Sequence, residues 1–196
     1  MELVKGVALS DSPGLLPELF SVLLKFASVS LTVRPNHKDV RFRQKFSLFG
    51  EACMENVALT YESSCQKKSL LETNVLFKVV RALHTPLRQK YRCYLNSNWR
   101  VAVNVLIKVL KCGIPVTRSH GAVGGASDNT EHYFADFWPE LSELFDNFLF
   151  PDSMDEQKQE DRSQDESIDV LIIELLREEV LPFPSKIPTE FIRKSK

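Results

Sequence analysis

The residues best suited to hold a soft metal are four histidines, His37, His84, His120 and His132, and four cysteines, Cys53, Cys65, Cys93 and Cys112. A structural zinc site draws on closely spaced ligand pairs, and a metalloprotease site on H-E-x-x-H. None of the eight residues is spaced in either way. Ser119-His120-Gly121 sets a nucleophile type beside a base type, but no G-x-S-x-G frame surrounds it and no strand is predicted to present it. The glycines of GAVGG, residues 121–125, follow no strand and precede no Gly-Lys-Ser/Thr, so neither a dinucleotide fingerprint nor a phosphate loop is formed. Glu178-Glu179 and the acidic run 152–166 place carboxylates side by side, and they read as a solvated helix face and a linker. No catalytic residue, metal or cofactor is implied.

The remaining chemistry is charge. Residues 34–118 carry sixteen Lys/Arg against five Asp/Glu, a net of +11, while residues 119–196 carry seven against eighteen, a net of −11. Thirds so opposed either attract one another across a packed interface or each face a separate partner. Within the basic part, Arg34, Lys38, Arg41, Arg43 and Lys45 cluster around a helix start, and Arg88, Lys90 and Arg92 fall in a polar link. If the helices carrying them are neighbours, the eight form one surface for a protein partner or for anionic lipid, worth about 1 kcal/mol per well-placed cation. A solvated basic face neutralised by the acidic third is the competing expectation. Nucleic acid is a weaker one, since no reading helix or aromatic RNA-binding sheet is predicted.

The elements that carry these residues read almost wholly as helices. Ser12-Pro13 is a start signal, and Leu16, Phe20, Leu23 and Ala27 then form one helical stripe. Arg34-Pro35-Asn36 breaks the chain. Phe42, Phe46, Phe49, Cys53 and Val57 stripe a second helix over about 38–62. Leu71, Val75, Val79 and Leu83 stripe a third over about 67–84, ended by His84-Thr85-Pro86. With Ser97 or Asn98 as cap, Trp99, Val103, Leu106 and Leu110 define a fourth that Gly113 and Pro115 should stop. Residues 113–130 and 151–167 are expected to be flexible loops. Ser167 should cap a helix bearing Ile168, Leu171, Ile172, Leu175 and Leu176, with Asp169 in its first turn and Leu181-Pro182 closing it. A last helix begins near Pro188.

Between the two loops lies YFADFWPELSELFDNFLF, residues 133–150, in which Tyr133, Phe134, Phe137, Trp138, Phe145, Phe148 and Phe150 are aromatic. Proline suits the first helical position and disfavours helix at the residue before it, so a helix is predicted to begin at Pro139 with Trp138 flanking it. Leu141, Leu144, Phe145 and Phe148 share its inner face, and Phe134 and Phe137 should fold back onto the same layer. Each large side chain so buried contributes about 1.5–3 kcal/mol. This is core; an aromatic peptide groove is the alternative.

Across 196 residues, 43% are hydrophobic and 26% charged, the balance of a soluble globular chain. Seven glycines and few alternating runs argue against a sandwich or barrel. The start, MELVKGVALSDSP, has neither the basic nor the apolar region of a signal peptide, no Asn-x-Ser/Thr occurs, and no window reaches the ~18 apolar residues of a membrane span. The expected protein is cytosolic or peripheral, with reduced thiols. Its fold class is all-α: stacked antiparallel helices of armadillo/HEAT type, part of an α-solenoid, with a closed bundle as the alternative.

Two stretches of the last part add a resemblance. ADFWPELSELFDNFLFPDS, an acidic spacer and DESIDVLIIELLREEVLPFPSKIPTEFI, preceded by HTPLRQKYRC and NWRVAVNVLIKVLK, resemble the C-terminal region of the Mon-two family in matching order over about residues 84–192. The resemblance implies a non-enzymatic, armadillo-like scaffold related to the large Arf guanine-nucleotide exchange factors but without their exchange domain. It implies vesicle-mediated protein transport on the cytosolic face of the Golgi, trans-Golgi network and endosomes. A Dopey-type partner, and Arf-type GTPases beside it, follow from the same resemblance, as does the expectation that the chain is a fragment of a longer polypeptide. A regulator of an Arf-type GTPase is the alternative function.

Overall fold

The computed structural model describes residues 14–32, 40–88, 90, 98–121, 129–150, 162–183, 187 and 189–194. The predicted Ser12-Pro13 start, the break at Arg34-Pro35-Asn36, the Ser97 cap and the acidic run up to residue 161 lie outside them. Among the described residues there are eight α-helices and no strand. They are α1 (Leu15–Thr32), α2 (Val40–Ser64), α3 (Lys68–Glu72), α4 (Val75–Leu87), α5 (Asn98–Gly121), α6 (Asn129–Leu149), α7 (Arg162–Glu179) and α8 (Thr189–Lys194).

Their packing gives two layers. One holds α1, α4, α6 and α8, each stacked on the next; the other holds α2, α5 and α7 in the same manner. The layers meet where α1 lies on α2 and α4 on α5, and the short α3 packs on α1 and α4. None of the principal contacts joins α1 or α2 to α6, α7 or α8, so the stack does not close on itself. The fold is all-α and solenoid-like, not a closed bundle.

Periodicity explains most of the core. Leu16, Phe20, Leu23 and Ala27 of α1 are buried, and Phe20 meets Tyr61 of α2 edge to face, with ring centroids 6.1 Å apart. The central helix α5 buries Trp99, Val103, Leu106 and Leu110 as expected, and also Val105, Ile107 and Val109. A helix apolar on most of its circumference belongs in an interior, and α5 packs on α2, α4, α6 and α7. Of the aromatic stretch, Phe137, Trp138, Leu141, Leu144, Phe145 and Phe148 are core, whereas Phe150 stands exposed past the end of α6.

Three of the predicted helix boundaries fail for one cause. Pro86, Pro115 and Pro139 were each expected to bound a helix, and each lies inside one. An internal proline costs about 3 kcal/mol by removing one backbone hydrogen bond and crowding the preceding turn. In α5 the turn at Pro115 buries Ile114, Val116 and Thr117, and the Thr117 hydroxyl donates to the Ile114 carbonyl at 2.7 Å. In α6, Pro139 faces outward beside Trp138, whose indole lies 4.9 Å from the Phe191 ring of α8. The apolar area sunk by continuing each helix outweighs the proline cost. Residues 113–121 and 129–130 are therefore helix and not loop. Separately, α7 begins five residues before the predicted Ser167 cap, at Arg162, which leaves Asp169 beyond its first turn.

The predicted helix over 67–84 is instead two. Asn74 takes the left-handed conformation, φ 53°, and its N–H is donated to the Leu71 carbonyl at 3.1 Å. Asparagine tolerates this region because its short polar side chain offsets part of the steric cost. Gly113 is no helix stop: a Cβ there would sit 2.7 Å from Leu76 Cδ1 of α4 and 3.1 Å from Tyr61 Oη of α2. Glycine is what allows three helices to approach at this point. Phe49 and Leu171, both placed on inner stripes by the sequence, are 48% and 38% exposed.

Candidate functional site: the seam between the basic middle and the acidic end

The opposed charges of the two thirds meet inside the molecule. Among the described residues, four ion pairs join helices distant in sequence, and every one links residues 34–118 to residues 119–196. Together they run along the sides of α4 and α5 that receive α6 and α7.

The first two tie α4 to α6. His84 lies in the last turn of α4 and Arg88, one turn on, caps its C-terminal end, so the two point to the same side. His84 Nε2 lies 3.3 Å from Glu140 Oε1 and 3.3 Å from the Glu140 carbonyl oxygen, in a half-buried setting. Arg88 Nη2 donates to Glu143 Oε1 at 2.6 Å, and both side chains are about half exposed. An exposed pair of this kind contributes at most about 1 kcal/mol.

The other two tie α7 down, one at its middle and one at its C-terminal end. Lys90, just past α4, has a side chain only 2% exposed. Its ammonium donates to Asp169 Oδ1 at 2.6 Å and to the Phe148 carbonyl at 3.3 Å. The same Nζ sits 4.0 Å from the centroid of the Phe148 ring and 5.9 Å from that of Trp99. A buried ammonium survives only when its charge is answered, and here a carboxylate, a carbonyl and two aromatic faces answer it. At the far end, Arg118 Nη2 donates to Glu179 Oε2 at 2.8 Å and Nη1 donates to the Glu179 carbonyl, while Arg118 Cζ lies 3.8 Å from the Phe183 ring centroid. A guanidinium at the last carbonyls of α7 also meets the negative end of the helix dipole.

The predicted basic surface is thus partly dissolved. Lys90 is corrected outright: it is an interior group, drawn in because its flexible stem can carry the charge to Asp169 through apolar surroundings. Arg88 is exposed but shared with Glu143. Arg41, Arg43 and Lys45 fall in the first turns of α2, with side chains outside the described residues, and Arg34, Lys38 and Arg92 lie outside them altogether. The helices expected to carry the surface belong to different layers, and α2 and α4 are not among the principal packing partners. His84, Arg118, Glu140, Glu143, Asp169 and Glu179 were not singled out as a group by the sequence; the only signal for them was the opposite sign of the two thirds.

Other candidate chemistry resolves into structure. The described residues contain no group of three His/Cys/Asp/Glu placed to hold a metal ion. Ser119 Oγ donates to the Val116 carbonyl at 2.8 Å, and Glu179 is bound by Arg118 while Glu178 lies 3.9 Å from Arg177. Burial pushes the thiols of Cys53 and Cys112 above the ordinary cysteine range; for Cys112, neighbouring Cys65 and Glu62 add to it. Burial likewise holds the Tyr61 phenol far above its usual value, with smaller contributions from Cys65 and Cys112. Raised thiol values suppress the nucleophilic thiolate.

Residues 36–195 match the family model described as the C-terminal region of Mon2 protein. The chain belongs to the Mon2 family. It is 35% identical over 147 residues to the Protein MON2 homolog of Drosophila melanogaster and 34% over 146 residues to that of Homo sapiens, covering 74% of this chain and 8% of the relative in each case. The Monensin-resistant homolog 2 of Caenorhabditis elegans is 25% identical over 189 residues, 91% of this chain and 11% of its own length. No solved structure matches the chain. All four pairs of the seam lie within the residues matched by the Mon2 family model, and α1 lies outside it.

Proposed function

We propose that the chain is a non-enzymatic scaffold segment for vesicle-mediated protein transport, acting peripherally on the cytosolic face of the Golgi, trans-Golgi network and endosomes. The observation that carries this reading is the family match over residues 36–195. The seam supports it: its charges hold helices together and so shape a surface, where a catalytic site would leave charged groups free for a substrate. The armadillo/HEAT-like character belongs to the same proposal and draws on the two-layer stack. Among the described residues no helix is long and apolar enough to cross a membrane. Attachment through the cations Arg34, Lys38, Arg41, Arg43 and Lys45, together with Arg88 and Arg92, is the route this reading uses. A Dopey-type scaffold and Arf-type GTPases are the protein partners it assigns.

A chimaera tests the role. The matched segment of the Caenorhabditis elegans relative is replaced by this chain, and sensitivity to monensin is scored in animals lacking the native protein. The proposal expects the chimaera to behave as the native protein does. A chimaera that is expressed and stable yet behaves as the deletion refutes the role in transport for this segment.

A further inference from the structure

Two cysteines face each other where α2 packs on α5. Cys65 follows the last residue of α2 and stands one turn on from Tyr61. Cys112 adjoins Gly113, where a Cβ on α5 would lie 3.1 Å from Tyr61 Oη. The two thiols are hydrogen-bonded to one another, and both act electrostatically on the Tyr61 phenol. Both residues are half-buried, and Cys65 Sγ sits at the surface, 4.0 Å from the Glu62 carbonyl oxygen. Cys53 by contrast is buried, and Cys93 lies outside the described residues. Among the described residues no third His, Cys, Asp or Glu completes a metal site around the pair. The chemistry open to it is that of a dithiol.

We propose that Cys65 and Cys112 form a modification site, a dithiol that a peroxide converts into a disulfide bridging α2 and α5. The sulfurs have to move from hydrogen-bonding contact to about 2.05 Å. Cys112 is fixed inside α5, but Cys65 lies in the turn between α2 and α3 and can make the approach. Cys65 reacts first, as its thiolate, because its sulfur is at the surface and Cys112 is held as a thiol, chiefly by burial. It takes one oxygen from the peroxide, the O–O bond breaks, and the other oxygen leaves as water, giving a sulfenic acid at Cys65. Cys112 then attacks that sulfur, the S–O bond breaks, and a second water departs with the Cys112 proton as the disulfide forms. Both thiols are oxidised, the peroxide is reduced to water, and an external thiol reverses the bond. Closure joins residues 65–112 into one loop that contains α3 and α4, and it locks the C-terminal end of α2 to the central helix.

The test treats the reduced chain with hydrogen peroxide, blocks the remaining thiols, and maps its peptides by mass spectrometry without reductant. A pair of peptides joined through Cys65 and Cys112 is expected, and dithiothreitol should separate them. Oxidation should also raise the melting temperature by roughly 5–15 °C, because the closed loop restrains the unfolded chain. Cys112→Ser should abolish the link and leave Cys65 as a sulfenic acid that dimedone captures. Cys53→Ser should keep both the link and the rise in melting temperature. Recovery of Cys65 and Cys112 on separate peptides from the peroxide-treated wild-type chain overturns the proposal. So does a link that joins either of them to Cys53 or Cys93, or one that forms only between two chains and runs as a dimer on a non-reducing gel.

Discussion

Removing Asp169 should do far more damage than its position on a partly exposed helix suggests. Asp169→Ala leaves the Lys90 ammonium in a site 2% open to water, with the Phe148 carbonyl and the faces of Phe148 and Trp99 as its remaining partners. Stripping one partner from a buried pair costs about 3–5 kcal/mol. Cation–π attraction and the carbonyl return part of it, and Asp169 is itself 29% exposed, so the expected loss is about 2–4 kcal/mol. For a chain of this size that lowers the melting temperature by roughly 4–16 °C. The converse change, Lys90→Met, removes the buried charge and keeps its volume, and should cost less than about 1.5 kcal/mol. In the double variant the two losses should not add, with a coupling of about 1–3 kcal/mol. Urea unfolding of the four proteins, followed by helical circular dichroism and tryptophan fluorescence, measures every corner of that cycle. An Asp169→Ala loss under 0.5 kcal/mol, the size of a surface pair, would refute the reasoning.

Four further outcomes are expected. Gly113→Val drives a branched side chain toward Leu76 and Tyr61 and should cost about 1–3 kcal/mol in urea unfolding, despite the ~0.5–1 kcal/mol a mid-helix glycine ordinarily forfeits. Because the folded state holds the Tyr61 phenol above its unfolded value of about 10, stability is undiminished below that pH and falls as pH rises past it; ultraviolet titration should show at least one of the four tyrosines ionising only with unfolding. Flotation with anionic vesicles should occur at low salt and be lost in Arg41→Glu/Arg43→Glu/Lys45→Glu; a wild-type chain that stays unbound at low salt removes the membrane part of the proposed function. Nucleotide exchange on an Arf-type GTPase should be unaltered by the chain, and acceleration would favour the exchange-factor alternative.

Helical stripes were legible because they depend only on spacing. Leu16, Phe20, Leu23 and Ala27, and again Leu141, Leu144, Phe145 and Phe148, repeat with the helix and are buried as the period requires. Proline signals misled at Pro86, Pro115 and Pro139 because a local backbone preference competes with burial that only the neighbouring helices provide. Asn74 was the reverse case, a break written in one residue whose left-handed geometry no apolar pattern reports. Phe49 and Leu171 kept the right period and the wrong exposure, since nothing in the described stack covers that side of α2 or α7. The seam was legible only as a difference of sign. Its partners are 55 to 79 residues apart, and whether Lys90 meets Asp169 or faces water depends on how α7 lies on α5 and α6.

The docking of the acidic third onto the basic middle is best tested by hydrogen exchange of the native chain, resolved by peptide. The account predicts that amides of α7 around Ile172 and Leu175 are protected together with those of α5, and that Asp169→Ala combined with Glu179→Ala frees α7 while α4 and α5 stay protected. Rapid exchange throughout α7 in the unmodified chain, beside a protected α5, would contradict it.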